Sequence, residues 1–195
     1  FTEEVELSEL VRLGKARRIP VAFDLGSGNL VDLEQFGLKD EPTVQSGLKA
    51  GADVVFFSGD KLIGGPQAGI IVGRRKRVEK IRAHPLYRAL RVDKMTMAAL
   101  EQALRTFLNP DQLTRTNLTF MMMARTPPEM KGQAESLRRQ LAQVKPDWNL
   151  SVVEEEAFLG GGALPTRELP GFAVRITARG LKADRLARHF RLSSP

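Results

Sequence analysis

Three short apolar runs, Ile19 to Leu25, Ala52 to Phe57 and Ala68 to Val72, are separated by glycine-containing loops and by segments whose apolar residues recur at helical spacing. Runs this short read as buried strands, and their alternation with helices limits the chain to an α/β fold with a largely parallel sheet. Val5, Leu7, Leu10, Val11 and Gly14 form the stripe of a first helix, which starts behind Glu3 and Glu4 and ends near Arg18. Pro42 to Ala50 carries Val44 and Leu48 on one face, with Gly51 as a stop. A basic amphipathic helix begins near Arg74 with Val78 and Ile81 inward. Asp93 caps the next helix, where Met97, Leu100, Leu104 and Leu108 make a packing stripe.

The turn Asn109-Pro110-Asp111 reads as a domain boundary, giving domains of residues 1–110 and 111–195. In the second, Thr116 to Ala124 reads as a strand and Pro127 to Val144 as a helix with Met130, Ala134, Leu137 and Leu141 aligned. Trp148 to Glu154 and Phe172 to Thr177 read as further strands, and Leu186 with Phe190 marks a last helix. This βαββα order is a small α+β domain of split βαβ, ferredoxin-like type that lacks its final strand.

With 195 residues, 42% hydrophobic and 27% charged, the chain can bury a core. The absence of cysteine rules out disulfides, thiolate catalysis and cysteine zinc sites, and agrees with a reducing, cytoplasmic setting. Two histidines, His84 and His189, leave no basis for a histidine-rich metal site. No apolar run approaches the ~20 residues that cross a bilayer, so no membrane role is expected. The net charge of +7 favours phosphate-bearing partners without naming one. A start at Phe1 and an end at Pro195 read as the limits of a fragment.

Two residues stand where α/β sheets gather ligands, beyond the carboxyl ends of strands. Asp24, followed by Leu25-Gly26-Ser27-Gly28, offers a carboxylate beside backbone that can be approached closely, although a turn-capping aspartate has the same look. Lys61 lies in Ser58-Gly59-Asp60-Lys61-Leu62-Ile63-Gly64-Gly65-Pro66-Gln67, directly after a strand. A lysine in a partly dry cleft loses its proton more readily and attacks aldehydes, which is Schiff-base chemistry. No Gly-Lys-Ser/Thr exists, so a Walker-type phosphate loop is excluded.

An aspartate at one strand end and a lysine at the next is the layout of fold-type I pyridoxal-phosphate enzymes. Asp24 to Gly28, Ser58 to Gly73 and His84-Pro85-Leu86-Tyr87-Arg88-Ala89-Leu90-Arg91-Val92-Asp93-Lys94 together resemble the bacterial selenocysteine synthase family, the L-seryl-tRNA(Sec) selenium transferases. The resemblance covers about half of the chain closely; the part after Asn109, including Gly160-Gly161-Gly162-Ala163-Leu164-Pro165, is compatible with the family's small C-terminal domain. It implies that residues 1–110 are part of the pyridoxal-phosphate-binding large domain.

By the same resemblance Lys61 forms the internal aldimine with pyridoxal 5'-phosphate and Asp24 pairs with the pyridine nitrogen. Ser58 is placed to reach the cofactor phosphate, or else stabilises its turn. Asp60 either orients Lys61 or caps the loop. Arg88 and Arg91, one helical turn apart, suit an anion such as selenophosphate, or else form a solvated face in a segment already basic through Arg74, Arg75, Lys76, Arg77, Lys80 and Arg82. His84 reads as a turn residue. The implied reaction converts seryl-tRNA(Sec) to selenocysteinyl-tRNA(Sec) with selenophosphate, through an external aldimine and an aminoacrylyl intermediate. The implied assembly is a homo-oligomeric ring, a decamer, and the isolated chain is expected to be inactive. Two other readings fit the residues: a pyridoxal-phosphate lyase or transferase acting on a free amino acid, and a basic RNA-binding module without catalysis.

Overall fold

The computed structural model describes residues 5–159, 164–180 and 182–192. Two compact units are present: residues 1–124 with 158–167, and residues 125–157 with 168–195.

The first unit begins with α1 (Leu7–Arg17), closed by Arg18 in the left-handed region, and continues into β1 (Ala22–Gly26). Helix α2 (Val44–Ala50) starts at a reciprocal cap in which Thr43 and Ser46 each accept the other's backbone N–H, and Gly51 ends it. Strands β2 (Val54–Ser58) and β3 (Gly69–Gly73) follow, then α3 (Arg75–Ala83), α4 (Pro85–Leu90) and α5 (Lys94–Arg105). Each of the three expected strands forms, displaced by one to three residues at its ends. Glu3 and Glu4 lie outside the described residues.

The sheet has the order β1-β2-β3. Its first pair is parallel and its second antiparallel, so the expectation of a largely parallel sheet holds for only one of the two ladders. The reason is the connection: a parallel return needs a crossover of a dozen or more residues, usually a helix, whereas residues 59–68 form a loop that turns the chain straight back. One face of this sheet is covered. Val44, Ala52, Val55, Phe57 and Ile63 are buried there, with Phe23, Leu25, Ile70, Leu100 and Leu104 packed around them. Each fully buried side chain of this size contributes about 1.5–3 kcal/mol. The opposite face is open, and Asp24, Phe56 and Ile71 stand side by side on it in register across the three strands. Of the expected α5 stripe, Leu100 and Leu104 are half-buried, whereas Met97 and Leu108 are exposed. Methionine at 97 is therefore not core packing.

Residues 113–123 depart most from expectation. Thr116 to Ala124 is not a strand: α6 (Leu113–Thr116) and α7 (Leu118–Met123) occupy it. Asn117 caps α7 by accepting the N–H groups of Thr119 and Phe120. Phe120 is 1% exposed and makes edge-on contacts with Phe36 and Phe107, at centroid distances of 5.8 and 5.6 Å. These contacts tie α7 to the first unit. The units consequently divide between Ala124 and Arg125 instead of at 110/111.

The second unit holds α8 (Pro127–Val144), α9 (Ala183–Leu192) and the greater part of two paired strands, β4 (Asn149–Leu159) and β5 (Leu164–Thr177), whose adjoining ends fall in residues 158–167. The helix matches its expected bounds and starts at a Thr126/Glu129 capping box. Because its leading strand is helical, the order is αββα, which corrects the split βαβ, ferredoxin-like expectation. Gly160, Gly161 and Gly162 lie outside the described residues.

The start of α5 carries a pH dependence. Asp93 accepts N–H groups from Met95 and Thr96 and the Thr96 hydroxyl, at 2.7, 3.0 and 2.8 Å. The backbone bond from Thr96 above all, then the Thr96 hydroxyl and the Met95 N–H, hold its carboxyl below the ordinary 3.8. A depressed folded-state pKa means that the stabilisation is complete above 3.8 and is lost as pH falls through the lower folded value. Amide exchange at Met95 and Thr96 should therefore lose protection below pH 3.8, and Asp93→Asn should remove that pH dependence.

Candidate active site

The site grows from two loops at the carboxyl ends of β1 and β2. The loop after β1 turns at Gly26 and Gly28, both with positive φ, and runs so close to β2 that a Cβ on Gly28 would lie 2.8 Å from the Ser58 carbonyl oxygen. Asn29, fully buried, locks its far end: its side chain donates to the carbonyls of Glu41 and Pro42 and accepts from Val31. The loop after β2 is joined to the first by the Leu62 N–H, which donates to the Ser27 carbonyl at 3.1 Å. Leu62 and Ile63 are buried and anchor the lysine between them and the surface.

The decisive geometry is at Gly26. A Cβ built there would lie 3.5 Å from Lys61 Nζ and 3.8 Å from Asp24 Oδ1, so the amine and the carboxylate face one space that any larger residue would occupy. Asp24 is exposed and Lys61 half-buried. Ser58 shares the open face with Phe56 by strand alternation, and Phe56 is the register partner of Asp24, which puts Ser58 on the same side of the sheet as the pair. Asp24 and Lys61 are thus brought together at Gly26, and Ser58 lies on the same face of the sheet as Asp24. Asp60 is exposed, and among the described residues it makes no ion pair with Lys61.

Arg88 and Arg91 lie elsewhere on the open face, in a groove of about 1160 Å³ whose walls include Ile71, Ile81, Tyr87 and Met97. They are not one turn apart on a helix: α4 ends at Leu90, and Arg91 is its extended C-cap. The groove nevertheless brings both to one cavity, and it reaches Gly69, the register partner of Ser58. Ile71 is two strand spacings from Asp24, about 10 Å. His84 has a structural role, its Nδ1 accepting the Leu86 N–H at 3.2 Å. Asp53, which the sequence reading passed over, also borders the groove; it accepts the Val21 N–H and pairs with Arg74 and Arg77. It closes the lower end of the sheet and takes no part at the Asp24–Lys61 space.

The family model for L-seryl-tRNA selenium transferase matches residues 1–195. The chain belongs to the L-seryl-tRNA selenium transferase family. A relative from Carboxydothermus hydrogenoformans named L-seryl-tRNA(Sec) selenium transferase is 46% identical over 195 residues, covering 100% of this chain and 42% of its own length. Relatives with the same name from Moorella thermoacetica and Clostridium botulinum are 48% identical over 177 residues and 42% over 193, covering 90% and 99% of this chain and 38% and 42% of their own length. The chain therefore spans about two fifths of these selenium transferases. Among solved structures, a D-glucosaminate-6-phosphate ammonia-lyase superposes with a TM-score of 0.63 at 20% identity, over 99% of this chain and 43% of its own, which establishes a shared α/β fold. Among the described residues no helix is long and apolar enough to cross a membrane.

Proposed function

We propose that the full-length protein converts seryl-tRNA(Sec) to selenocysteinyl-tRNA(Sec), with selenophosphate as selenium donor and pyridoxal 5'-phosphate held between Asp24 and Lys61. The observation that carries this reading is the space in front of Gly26, faced by one amine and one carboxylate. A flat heterocycle with an aldehyde on one side and a basic ring nitrogen on the other fits that donor set, and Gly26 leaves the room a Cβ would fill. When bound, the cofactor supplies an electron sink for the electrons of the broken Cα–H bond.

The chain's own residues divide the remaining work. Lys61 Nζ would hold the cofactor through its aldehyde and, as a free amine, would serve as the base for the Cα proton. Asp24 keeps a proton on the ring nitrogen. Ser58 Oγ donates to the cofactor phosphate, and Asp60 orients the lysine from the adjoining position. Arg88 and Arg91 would neutralise the selenium donor: the seryl β-hydroxyl would leave as water together with the Cα proton, the selenium of selenophosphate would bond to the β-carbon, and water would cleave its P–Se bond, releasing phosphate. The exposed Phe56 and Ile71 beside Asp24 support a site completed by further protein, consistent with a homo-oligomeric ring, a decamer in this reading, working in the cytoplasm.

The test is turnover by full-length protein loaded with pyridoxal phosphate. Selenocysteinyl-tRNA should form from seryl-tRNA(Sec) and selenophosphate, and Arg88→Ala and Arg91→Ala should each raise the KM for selenophosphate about 10- to 100-fold, as loss of a charge-assisted hydrogen bond would. Turnover of free serine without tRNA would replace this reading with that of a free amino-acid lyase.

A further inference from the structure

We propose that Asn117 is a positioning residue for Lys61, holding the lysine loop from a stretch of chain 54 residues away. The proposal rests on the reading of Lys61 as the cofactor-bearing amine. Besides the Gly65 N–H to Gly59 carbonyl bond of 2.9 Å that closes the loop, three hydrogen bonds fix the backbone around that lysine. Leu62 N–H donates to the Ser27 carbonyl at 3.1 Å, and Gly64 N–H donates to the Lys61 carbonyl at 3.0 Å. The third bond runs from Asn117 Nδ2 to the Ile63 carbonyl at 2.8 Å. The first two are backbone to backbone; the third is made by a side chain and can be removed without altering the loop's own sequence.

The amide of Asn117 has one allowed orientation. Its oxygen accepts from Thr119 and Phe120 N–H at 3.0 and 3.5 Å, which commits that end to the cap of α7. Its nitrogen must then face the loop, where it also reaches Thr106 Oγ1 at 3.4 Å. The Thr106 hydroxyl gives its own hydrogen to the Ala103 carbonyl at 2.7 Å, so toward Asn117 it acts as acceptor. Asn117 is 4% exposed and Ile63 fully buried, so water cannot replace the bond if the amide is lost. Gly64 completes the fit: a Cβ there would lie 3.2 Å from both Asn117 Oδ1 and Thr119 Oγ1, so the loop seats directly on the capped helix. Displacing Ile63 would carry Lys61, two positions earlier, away from the Gly26 space.

Asn117→Ser in the full-length protein separates positioning from capping, because serine still caps a helix but is too short to reach the Ile63 carbonyl. In cofactor-free protein, amide exchange at residues 62–65 should accelerate about 10-fold, while the β1–β2 ladder keeps its protection. The Kd for pyridoxal phosphate should rise about 10-fold in parallel. Thr43→Ala, which removes a cap from α2, is the control: it should lower the denaturation midpoint without changing either loop readout. Unchanged exchange at residues 62–65 in Asn117→Ser, or equal acceleration in Thr43→Ala, overturns the positioning role whatever Lys61 does. Borohydride reduction of the wild-type complex that labels a lysine other than Lys61 overturns instead the reading on which the proposal rests.

Discussion

Lys61→Ala in the full-length protein is expected to lower formation of selenocysteinyl-tRNA by at least about 10³-fold, within the range that a positioned proton-transfer group contributes. The loss should exceed that of any neighbouring substitution, because one nitrogen is asked both to hold the cofactor aldehyde and to accept the Cα proton. Lys61→Arg keeps the positive charge at the Gly26 space yet should be equally defective, since a guanidinium neither condenses with an aldehyde under these conditions nor gives up a proton near neutral pH. That pairing distinguishes chemistry from electrostatics. The accompanying measurement is borohydride reduction and peptide mapping of the wild type, which should place the label on Lys61. Wild-type-like turnover by Lys61→Ala would refute the assignment.

Much of this site was legible because strand ends are legible. Val54-Val55-Phe56-Phe57 reads as a buried strand from its apolar continuity, and a residue four positions beyond it must emerge near the end of the sheet. Asp24 was found the same way. The direction of β3 was not legible, because an apolar run reads identically in a parallel or an antiparallel ladder, and only the turn made by residues 59–68 decides it. Arg88 and Arg91 were paired by counting helical residues; the helix stops at Leu90, and it is the groove that brings them to one cavity.

Asn117 was missed for a related reason. Phe120-Met121-Met122-Met123 looks like the interior of a strand when only apolarity is weighed, although leucine and methionine are also good helix formers. The choice is made by a polar side chain that begins α7 and by the burial of Phe120 against Phe36 and Phe107, neither of which hydrophobic periodicity registers. The available signal was an asparagine immediately before an apolar helical turn, an N-cap pattern. Reading it would also have moved the domain boundary beyond residue 110, since a helix capped there carries its buried face back to the first unit.

Asp24 gives the second large effect, and its size follows from where it stands. A carboxylate that keeps the ring nitrogen protonated stabilises charge only as the Cα–H bond breaks, so its removal should lower kcat and leave the KM for seryl-tRNA(Sec) nearly unchanged. Loss of a preorganised charge of this kind costs on the order of 10²–10³ in kcat, and that is the fall expected for Asp24→Ala. Asp24→Asn tests the cause. It preserves the shape of the side chain beside Gly26 but cannot carry the negative charge, so it should resemble Asp24→Ala in kcat while binding pyridoxal phosphate more tightly than alanine does. Both variants should still be labelled at Lys61 by borohydride, because the amine approaches the Gly26 space from the other loop, held by Leu62 and Ser27 and not by Asp24. If Asp24→Asn kept wild-type kcat, the carboxylate would be a turn residue, and the electron-sink role assigned to this end of the site would fall while the covalent role of Lys61 stood.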